Sequence, residues 1–536
     1  MSIPTKRACD ACHRRKVRCN SRQPCGNCSQ AGLSCTYDAI PQKKGPKGSR
    51  AKVISELRET QKQSDLTSMM LQDGKDSYGS PPQSPTQYAR ASGLLTHELI
   101  EGCTDFFFTQ MYPTMPILYR DQIRHAVGEM GHSVESYCLI TSFLAFMLIQ
   151  PGIVLKTGHL MDQPAGSVTN PRMGSVLMEE AIRVRKGYDY VESPTVNTVI
   201  SSFFLFGCSF GLNKHNTAWF HLREATALAQ ILGMQDENTY MFDNVIETSW
   251  KRRLFWLLFV TERAYALQKH RPLTLHATIS LPTVDQDPTN YSLAGFIYLV
   301  NLYRPFDDNF IGLWNKSRTD CSPLTLARLQ QQLTEALPQF LNTTESQAAD
   351  LRTSQQWLRT MVWQLSIANG FLSSTSPDTS MTFRFPIEIA KDLVEVTRQF
   401  SKQSMEVHGI GLIEKVFDVA CTLIDVMSCV PLESRKFEPG PQEYLNSLLT
   451  LISTLRGGES RFLPLVMAKI RDTLPAIGSL LPQHLIEKYN GSGHLGKRAE
   501  RSGQQVEFKQ ENSGGSSSAG SSPFETPPFM HYYPLN

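Results

Sequence analysis

From Gly93 to about Tyr489 the apolar residues recur at helical spacing, and alternating strand patterns with hairpin turns are scarce. Thr217–Met234 places Trp219, Leu222, Ala225, Leu228, Ala229 and Leu232 three to four residues apart, which predicts an amphipathic helix. Glu247–Lys269 is long, aromatic and apolar on more than one face, the pattern of a central packed helix. Two shorter apolar runs, Ser142–Leu155 and Phe203–Leu212, are broken by Gln150 and Pro151 and by Gly207 and Gly211. Neither reaches the roughly 18 apolar residues a membrane span needs, so both read as core helices. The expectation is a large all-α body in two packed parts, with a loop-like break near Thr343–Ala349.

The flanks have a different texture. Residues 1–38 are basic and dense in cysteine, and residues 39–52 (AIPQKKGPKGSRAK) read as an extended, solvated basic linker. Residues 53–71 lack Pro and Gly and predict a short helix. Its heptad pattern fails at Gln61 and Ser64, so it is at most a weak dimerisation element. Residues 72–92 are poor in hydrophobics and read as a disordered tether, and residues 490–536 as a disordered Ser/Gly/Pro-rich tail. That leaves residues 93–489 as the helical body.

Composition alone says little: 536 residues, 41% hydrophobic, 19% charged, formal net charge +3. The distribution says more. Residues 1–62 hold 14 Lys+Arg against 4 Asp+Glu, and the rest hold 39 against 46. A basic arm on a mildly acidic body points to an anionic partner for the arm. The first residues lack the apolar core of a secretory signal, so a soluble intracellular chain is expected, without a membrane partner. No P-loop, G-x-S-x-G, H-E-x-x-H or G-x-G-x-x-G occurs, and after His97-Glu98 it is Glu101 that stands where a zincin's second histidine belongs. A non-enzyme is expected.

Six of the twelve cysteines crowd into one run: Cys9-x2-Cys12-x6-Cys19-x5-Cys25-x2-Cys28-x6-Cys35. The other six (Cys103, Cys138, Cys208, Cys321, Cys421, Cys429) are dispersed and read as small core hydrophobes. The run is an internal duplication of C-x2-C-x6-C. Intracellular C-x2-C pairs are metal ligands far more often than disulfides, and tetrahedral thiolates suit Zn2+. Two separate tetrahedral sites need eight ligands, so six suffice only if two sulfurs bridge both metals; one zinc with two spare cysteines is the competing reading. With Val17, Leu33 and Tyr37 as nearly its whole core, the segment depends on metal for its folding free energy.

The two halves differ in charge. Cys12 and Cys19 enclose HRRKVR, whereas Cys28 and Cys35 enclose SQAGLS. A short helix starting at the first C-x2-C is expected to project Arg14, Arg15, Lys16 and Arg18, cations suited to phosphates and to the O6/N7 edge of guanine. Residues 9–35 contain no aromatic residue for base stacking, which favours duplex DNA over RNA.

Residues 9–35 resemble the fungal Zn2Cys6 binuclear cluster domain of transcription factors. The resemblance implies two Zn2+ ions, Cys9 and Cys25 bridging, Cys12 and Cys19 completing one site, and Cys28 and Cys35 the other. It also places the base-contacting lysine at Lys16, a backbone contact at Arg15 and a loop-shaping proline at Pro24. His13 stands where arginine is commoner, which weakens a phosphate contact there. Linker residues Lys43, Lys44 and Lys47 would add phosphate contacts, or serve nuclear import with Lys6-Arg7 and Arg14-Arg15-Lys16. In the body, Phe106–Leu118, Trp250–Trp256 with Glu262-Arg263, and His270-Arg271-Pro272 are similar to the fungal transcription-factor middle homology region. His270 replaces a glycine common there.

The fold expected is a small zinc-cluster domain, two short helices around a Zn2Cys6 centre, plus a large all-α regulatory domain with disordered linker and tail. The function expected is a nuclear, DNA-binding activator of RNA polymerase II genes. It would read CGG-type triplets and control either a secondary-metabolite cluster or nutrient (carbohydrate) catabolism. Implied partners are double-stranded DNA, a second copy of the chain, the transcription machinery and a small-molecule inducer. A zinc-stabilised protein-interaction or RNA-binding regulator is the alternative.

Overall fold

The computed structural model describes residues 8–37, 93–151, 153, 170–241, 245–283, 293–429, 440–475, 482, 483 and 486. The expected linker, the 53–71 helix, the tether and the tail fall outside these residues. The chain divides into two compact units, residues 1–86 and 87–536.

The first unit contains α1 (Asp10–Arg15) and α2 (Gly26–Ala31). Cys9 and Cys25 are their extended N-cap residues, and each helix stops after six residues at a left-handed residue. Its core is almost all sulfur: Cys9, Cys12, Cys25 and Cys28 are buried with Ala11 and Leu33, and Val17 and Tyr37 pack on the outside.

In the second unit, the first helices are α3 (His97–Phe106), α4 (Arg120–Glu129), α5 (Val134–Ile149), α6 (Asn170–Arg185), α7 (Val196–Gly211), α8 (His215–Ile231) and α9 (Val245–Lys269). There follow α10 (Leu293–Tyr303), α11 (Asp308–Trp314), α12 (Pro323–Glu335), α13 (Glu345–Ala368), α14 (Phe385–Thr397) and α15 (Lys402–Glu406). The last are α16 (Ile410–Cys429), α17 (Pro441–Thr454), α18 (Gly458–Arg461) and α19 (Leu463–Thr473). No strand occurs among the described residues, and none of their helices is long and apolar enough to cross a membrane.

Two expectations change. One continuous apolar core runs from Leu99 to Ile470, so the body is not two separately packed parts. Helices α5 and α7 explain this, since both are buried on nearly every face and pack in the interior. The break expected at Thr343–Ala349 is shorter, because α13 starts at Glu345. Thr344 Oγ1 accepts from the Gln347 N–H while Gln347 returns the bond to the Thr344 N–H, a reciprocal cap that starts the helix inside the polar stretch.

The segments singled out in the body lie together. Trp250 Nε1 donates to the Ile117 carbonyl (2.6 Å), and Arg253, fully buried, donates to the hydroxyls of Tyr112 (3.0 Å) and Tyr119. Glu262, also fully buried, accepts from the backbone N–H groups of Thr274 and Leu275 (both 2.9 Å) and from Arg223 (3.0 Å), which fixes the chain after His270-Arg271-Pro272. His270 takes the left-handed conformation (φ 51°), which glycine adopts without steric cost, and its ring stacks on Trp314 at 5.5 Å. Between Phe107 and Met111 the chain makes a π-helical turn, which residue spacing did not indicate. Of the dispersed cysteines, Cys103, Cys138 and Cys208 are buried, Cys321 and Cys421 half-buried, and Cys429 exposed, so the core reading fails for Cys429. His97 and Glu101 form an exposed ion pair at 3.1 Å on one face of α3.

Candidate metal centre and nucleic-acid interface

The duplicated sequence folds as a duplicated backbone. In the first half the His13 N–H donates to the Cys9 carbonyl (2.8 Å), and the Val17 N–H to the Cys12 carbonyl (3.1 Å). In the second half the Ser29 N–H donates to the Cys25 carbonyl (2.9 Å), and the Leu33 N–H to the Cys28 carbonyl (3.0 Å). The third cysteine of each half folds back on the first: Cys19 Sγ accepts from the Cys9 N–H (3.5 Å), and Cys35 Sγ from the Cys25 N–H (3.2 Å). Side chains tie the halves together. Asn27 donates to the Arg18 carbonyl (2.6 Å), Gln23 to the Cys35 carbonyl (3.2 Å), and Thr36 Oγ1 to Asp10 (3.0 Å). The Gln23–Pro24 bond between the halves is cis.

This geometry gathers the six sulfurs into two sets of four. Cys9, Cys12, Cys19 and Cys25 form one, and Cys9, Cys25, Cys28 and Cys35 the other, with the sulfurs of each set within 4.8 Å of one another. Cys9 and Cys25 are common to both. The sulfur separations are 3.7 Å for Cys9–Cys25, 3.6 Å for Cys9–Cys28 and 3.5 Å for Cys12–Cys25. Tetrahedral Zn–S bonds of about 2.3 Å put sulfurs about 3.8 Å apart, whereas a disulfide needs about 2.05 Å. The donor set therefore fits two zinc ions, and all six cysteines are free thiols.

Burial raises the Cys9, Cys12 and Cys28 thiols, Cys28 to about 12, so holding them as thiolates calls for a cation at the centre. At Cys25 burial is outweighed by hydrogen bonds from the Cys28 N–H and neighbouring thiols, which bring it to about 6. At Cys19 the N–H groups of Cys9 and Ser21 likewise outweigh burial and lower it.

The basic residues lie at the end of α1 and just beyond it. The helix expected to project Arg14, Arg15, Lys16 and Arg18 is too short to include the last two. It ends at Arg15, Lys16 is its left-handed cap (φ 52°), and Arg18 lies two residues further on. His13, Arg14, Lys16 and Arg18 are exposed. Arg15 is half-buried, and its Nε and Nη1 are enclosed without a hydrogen-bond partner. Lys43, Lys44 and Lys47 lie outside the described residues. The residue the sequence reading missed is Ser21, held at φ 56° with its N–H 3.3 Å from Cys19 Sγ. Its place two residues after a ligand was the available signal.

Comparison with known proteins agrees with this geometry. Residues 7–44 match the fungal Zn(2)-Cys(6) binuclear cluster domain, which binds two zinc ions. Similarity continues through the helical body. The maltose fermentation regulatory protein MAL13 of Saccharomyces cerevisiae is 24% identical, over 79% of this chain and 84% of that protein. The probable sucrose utilization protein SUC1 of Candida albicans is 23% identical, over 79% of each. The citrinin biosynthesis transcriptional activator mrl3 of Monascus ruber is 21% identical, over 53% of this chain and 64% of that protein. Residues 7–44 thus carry the two-site thiol cluster of the fungal Zn(2)-Cys(6) domain, and over 79% of its length the chain is similar to the maltose regulatory and sucrose utilization proteins.

Proposed function

We propose that the protein is a nuclear activator that binds CGG-containing promoter sites of RNA polymerase II genes and switches on a carbohydrate-utilisation pathway. The observation that carries the reading is the pair of four-sulfur sets sharing Cys9 and Cys25, which fixes a helix whose end is cationic. Cys9 and Cys25, common to both sets, would be shared by the two zinc ions, with Cys12 and Cys19 completing one site and Cys28 and Cys35 the other. The zinc ions, when bound, hold the thiolates in place and supply the folding free energy that so small a core lacks. Lys16 then meets the O6/N7 edge of guanine, while His13, Arg14, Arg15 and Arg18 meet phosphates. Lys43, Lys44 and Lys47 add phosphate contacts from the linker.

In this reading residues 1–38 bind DNA, 39–52 and 72–92 connect, 53–71 add a weak dimer contact, 93–489 respond to an inducer, and 490–536 form the tail that meets the transcription machinery. The chain acts without catalysis. A cysteine-only centre keeps no open metal position for substrate. Carbohydrate utilisation is favoured over a biosynthetic cluster because similarity to the maltose and sucrose proteins spans 79% of the chain, against 53% for the citrinin activator.

The test is fluorescence anisotropy of the full chain on a duplex with CGG triplets and on its scrambled counterpart, across a salt series. The proposal predicts tighter binding to CGG, by at least about 10^3-fold, with affinity falling as salt rises. Equal binding to both duplexes, or a preference for RNA, would contradict it.

A further inference from the structure

The uncharged half of the cluster grips the basic half on both sides of its cations. At the start of α1 the Asp10 N–H donates to the Thr36 carbonyl (2.8 Å), and Thr36 Oγ1 donates to the Asp10 carboxylate (3.0 Å). Beyond α1 the chain leaves helical geometry at Lys16 and runs through Val17 and Arg18 to Cys19. The Val17 N–H is fixed on the Cys12 carbonyl (3.1 Å), and Cys19 Sγ accepts from the Cys9 N–H (3.5 Å). Between these points the Arg18 carbonyl accepts from Asn27 Nδ2 at 2.6 Å. Asn27 is the second residue of α2, and its counterpart in the duplication is Ala11, a side chain without a donor.

Asn27 and Arg18 are both exposed, so water competes for each group and the bond adds little to the stability of the cluster. Its effect is on direction. Lys16 and Arg18 stand on a short non-helical segment, and such a backbone turns freely unless its polar groups are engaged. With the Val17 N–H and the Arg18 carbonyl both held, the two side chains leave the backbone in set directions. Directions set in advance remove an ordering cost from binding. The bond also strengthens once a bound duplex excludes water from it.

We infer that Asn27 is a positioning residue for DNA recognition: from the uncharged half it holds the Arg18 carbonyl and so aims Lys16 and Arg18, without itself touching the nucleic acid. This inference rests on the reading of Lys16 and Arg18 as DNA contacts. Its consequence is a division of labour between the duplicated halves. The first half presents the cations, and the second half braces the segment that carries them.

The experiment uses the full zinc-loaded chain and Asn27→Leu, which keeps a side chain of similar size and removes the donor. Native mass spectrometry counts the zinc, and fluorescence anisotropy compares a CGG duplex with its scrambled counterpart. The expected result is an unchanged zinc count with the CGG preference reduced about fivefold, the effect of one neutral hydrogen bond. The same substitution is then made in a Lys16→Ala, Arg18→Ala background, where it is expected to leave affinity unchanged, because the groups it aims are gone. An unaltered CGG preference in Asn27→Leu would overturn the inference. So would loss of zinc, which would make Asn27 a residue of the cluster's stability, or a loss of affinity that persists in the double-alanine background, which would make it a direct contact. A parent chain that binds both duplexes equally would overturn the DNA-contact reading itself, so the two failures are told apart by the parent.

Discussion

Lys16 and Gly32 occupy equivalent positions in the two halves of the cysteine cluster, each closing a six-residue helix in the left-handed region, at φ 52°, ψ 43° and φ 60°, ψ 45°. Both donate their backbone N–H back into the helix, Lys16 to the His13 carbonyl and Gly32 to the Ser29 carbonyl. Glycine adopts this conformation at no steric cost, whereas an L side chain pays about 1 kcal/mol or more. The second half has the relaxed residue and the first half keeps the strained one. A lysine at this strained position is what the proposed base-reading role of Lys16 would require.

Replacing Lys16 therefore separates stability from function. Lys16→Gly is expected to stabilise residues 9–35 by about 1 kcal/mol while abolishing preference for CGG sites. Lys16→Ala keeps the strain and loses the cation, so it abolishes the preference without the gain in stability. Chelator titration monitored by circular dichroism measures the first effect, and duplex binding the second. Lys16→Gly that retained CGG preference would place the base reader elsewhere.

The shared positions of Cys9 and Cys25 make them unlike the other four ligands. Cys25→Ser is expected to remove a ligand from both metal sites and unfold both α1 and α2. Zinc stoichiometry and the circular dichroism of the variant report this. A stable one-zinc domain in Cys25→Ser would refute bridging.

How much of this was legible depends on what each feature rests on. Cysteine spacing encodes the cluster almost directly, because six thiols in a duplicated run admit few geometries. Helical periodicity likewise indicated α8 and α9. The left-handed turn at Lys16 was not legible, since lysine is not a residue that signals positive φ and only alignment with Gly32 within the duplication hints at it. The single body core was hidden because α5 and α7 are apolar all round, a pattern that shows burial but not which neighbours supply it. The start of α13 was in plain view as Thr344-x-x-Gln347, yet the surrounding polar residues read as a loop.

In the body, Gln150 is a junction. Its Nε2 donates to the Gly207 carbonyl (2.7 Å), its own carbonyl accepts from Arg456 (2.7 Å), and Gly409 lies against it at φ 61°. A Cβ on Gly409 would fall 2.1 Å from Gln150 Oε1 and 3.1 Å from its backbone oxygen. Gly409→Ala is expected to destabilise the body by about 3 kcal/mol, combining an unfavourable φ with a displaced hydrogen-bonded side chain. The shift in the urea midpoint measures it, and a midpoint unchanged from the parent would show that the junction adapts.

The body should also respond to mild acid through His215. Burial, with Lys269 and Arg461 nearby, lowers His215 to about 4, and Glu414 only partly offsets this. The unfolded chain binds a proton at an ordinary value of about 6.5, so between pH 6.5 and 4 it holds more protons at this site than the folded one. The contribution of His215 is therefore fully present above pH 6.5 and is lost as pH falls toward 4. Urea unfolding across this window should show a pH slope that His215→Gln reduces. An identical slope in the variant would assign it to other groups.

The most direct measurement of the central claim is genome-wide DNA occupancy of the tagged full chain in its host, with Lys16→Ala as the control. Peaks over promoters, enriched in CGG triplets, lying beside carbohydrate-utilisation genes and lost in the variant, are the predicted result. Occupancy without CGG enrichment, or peaks that persist unchanged in Lys16→Ala, would contradict it.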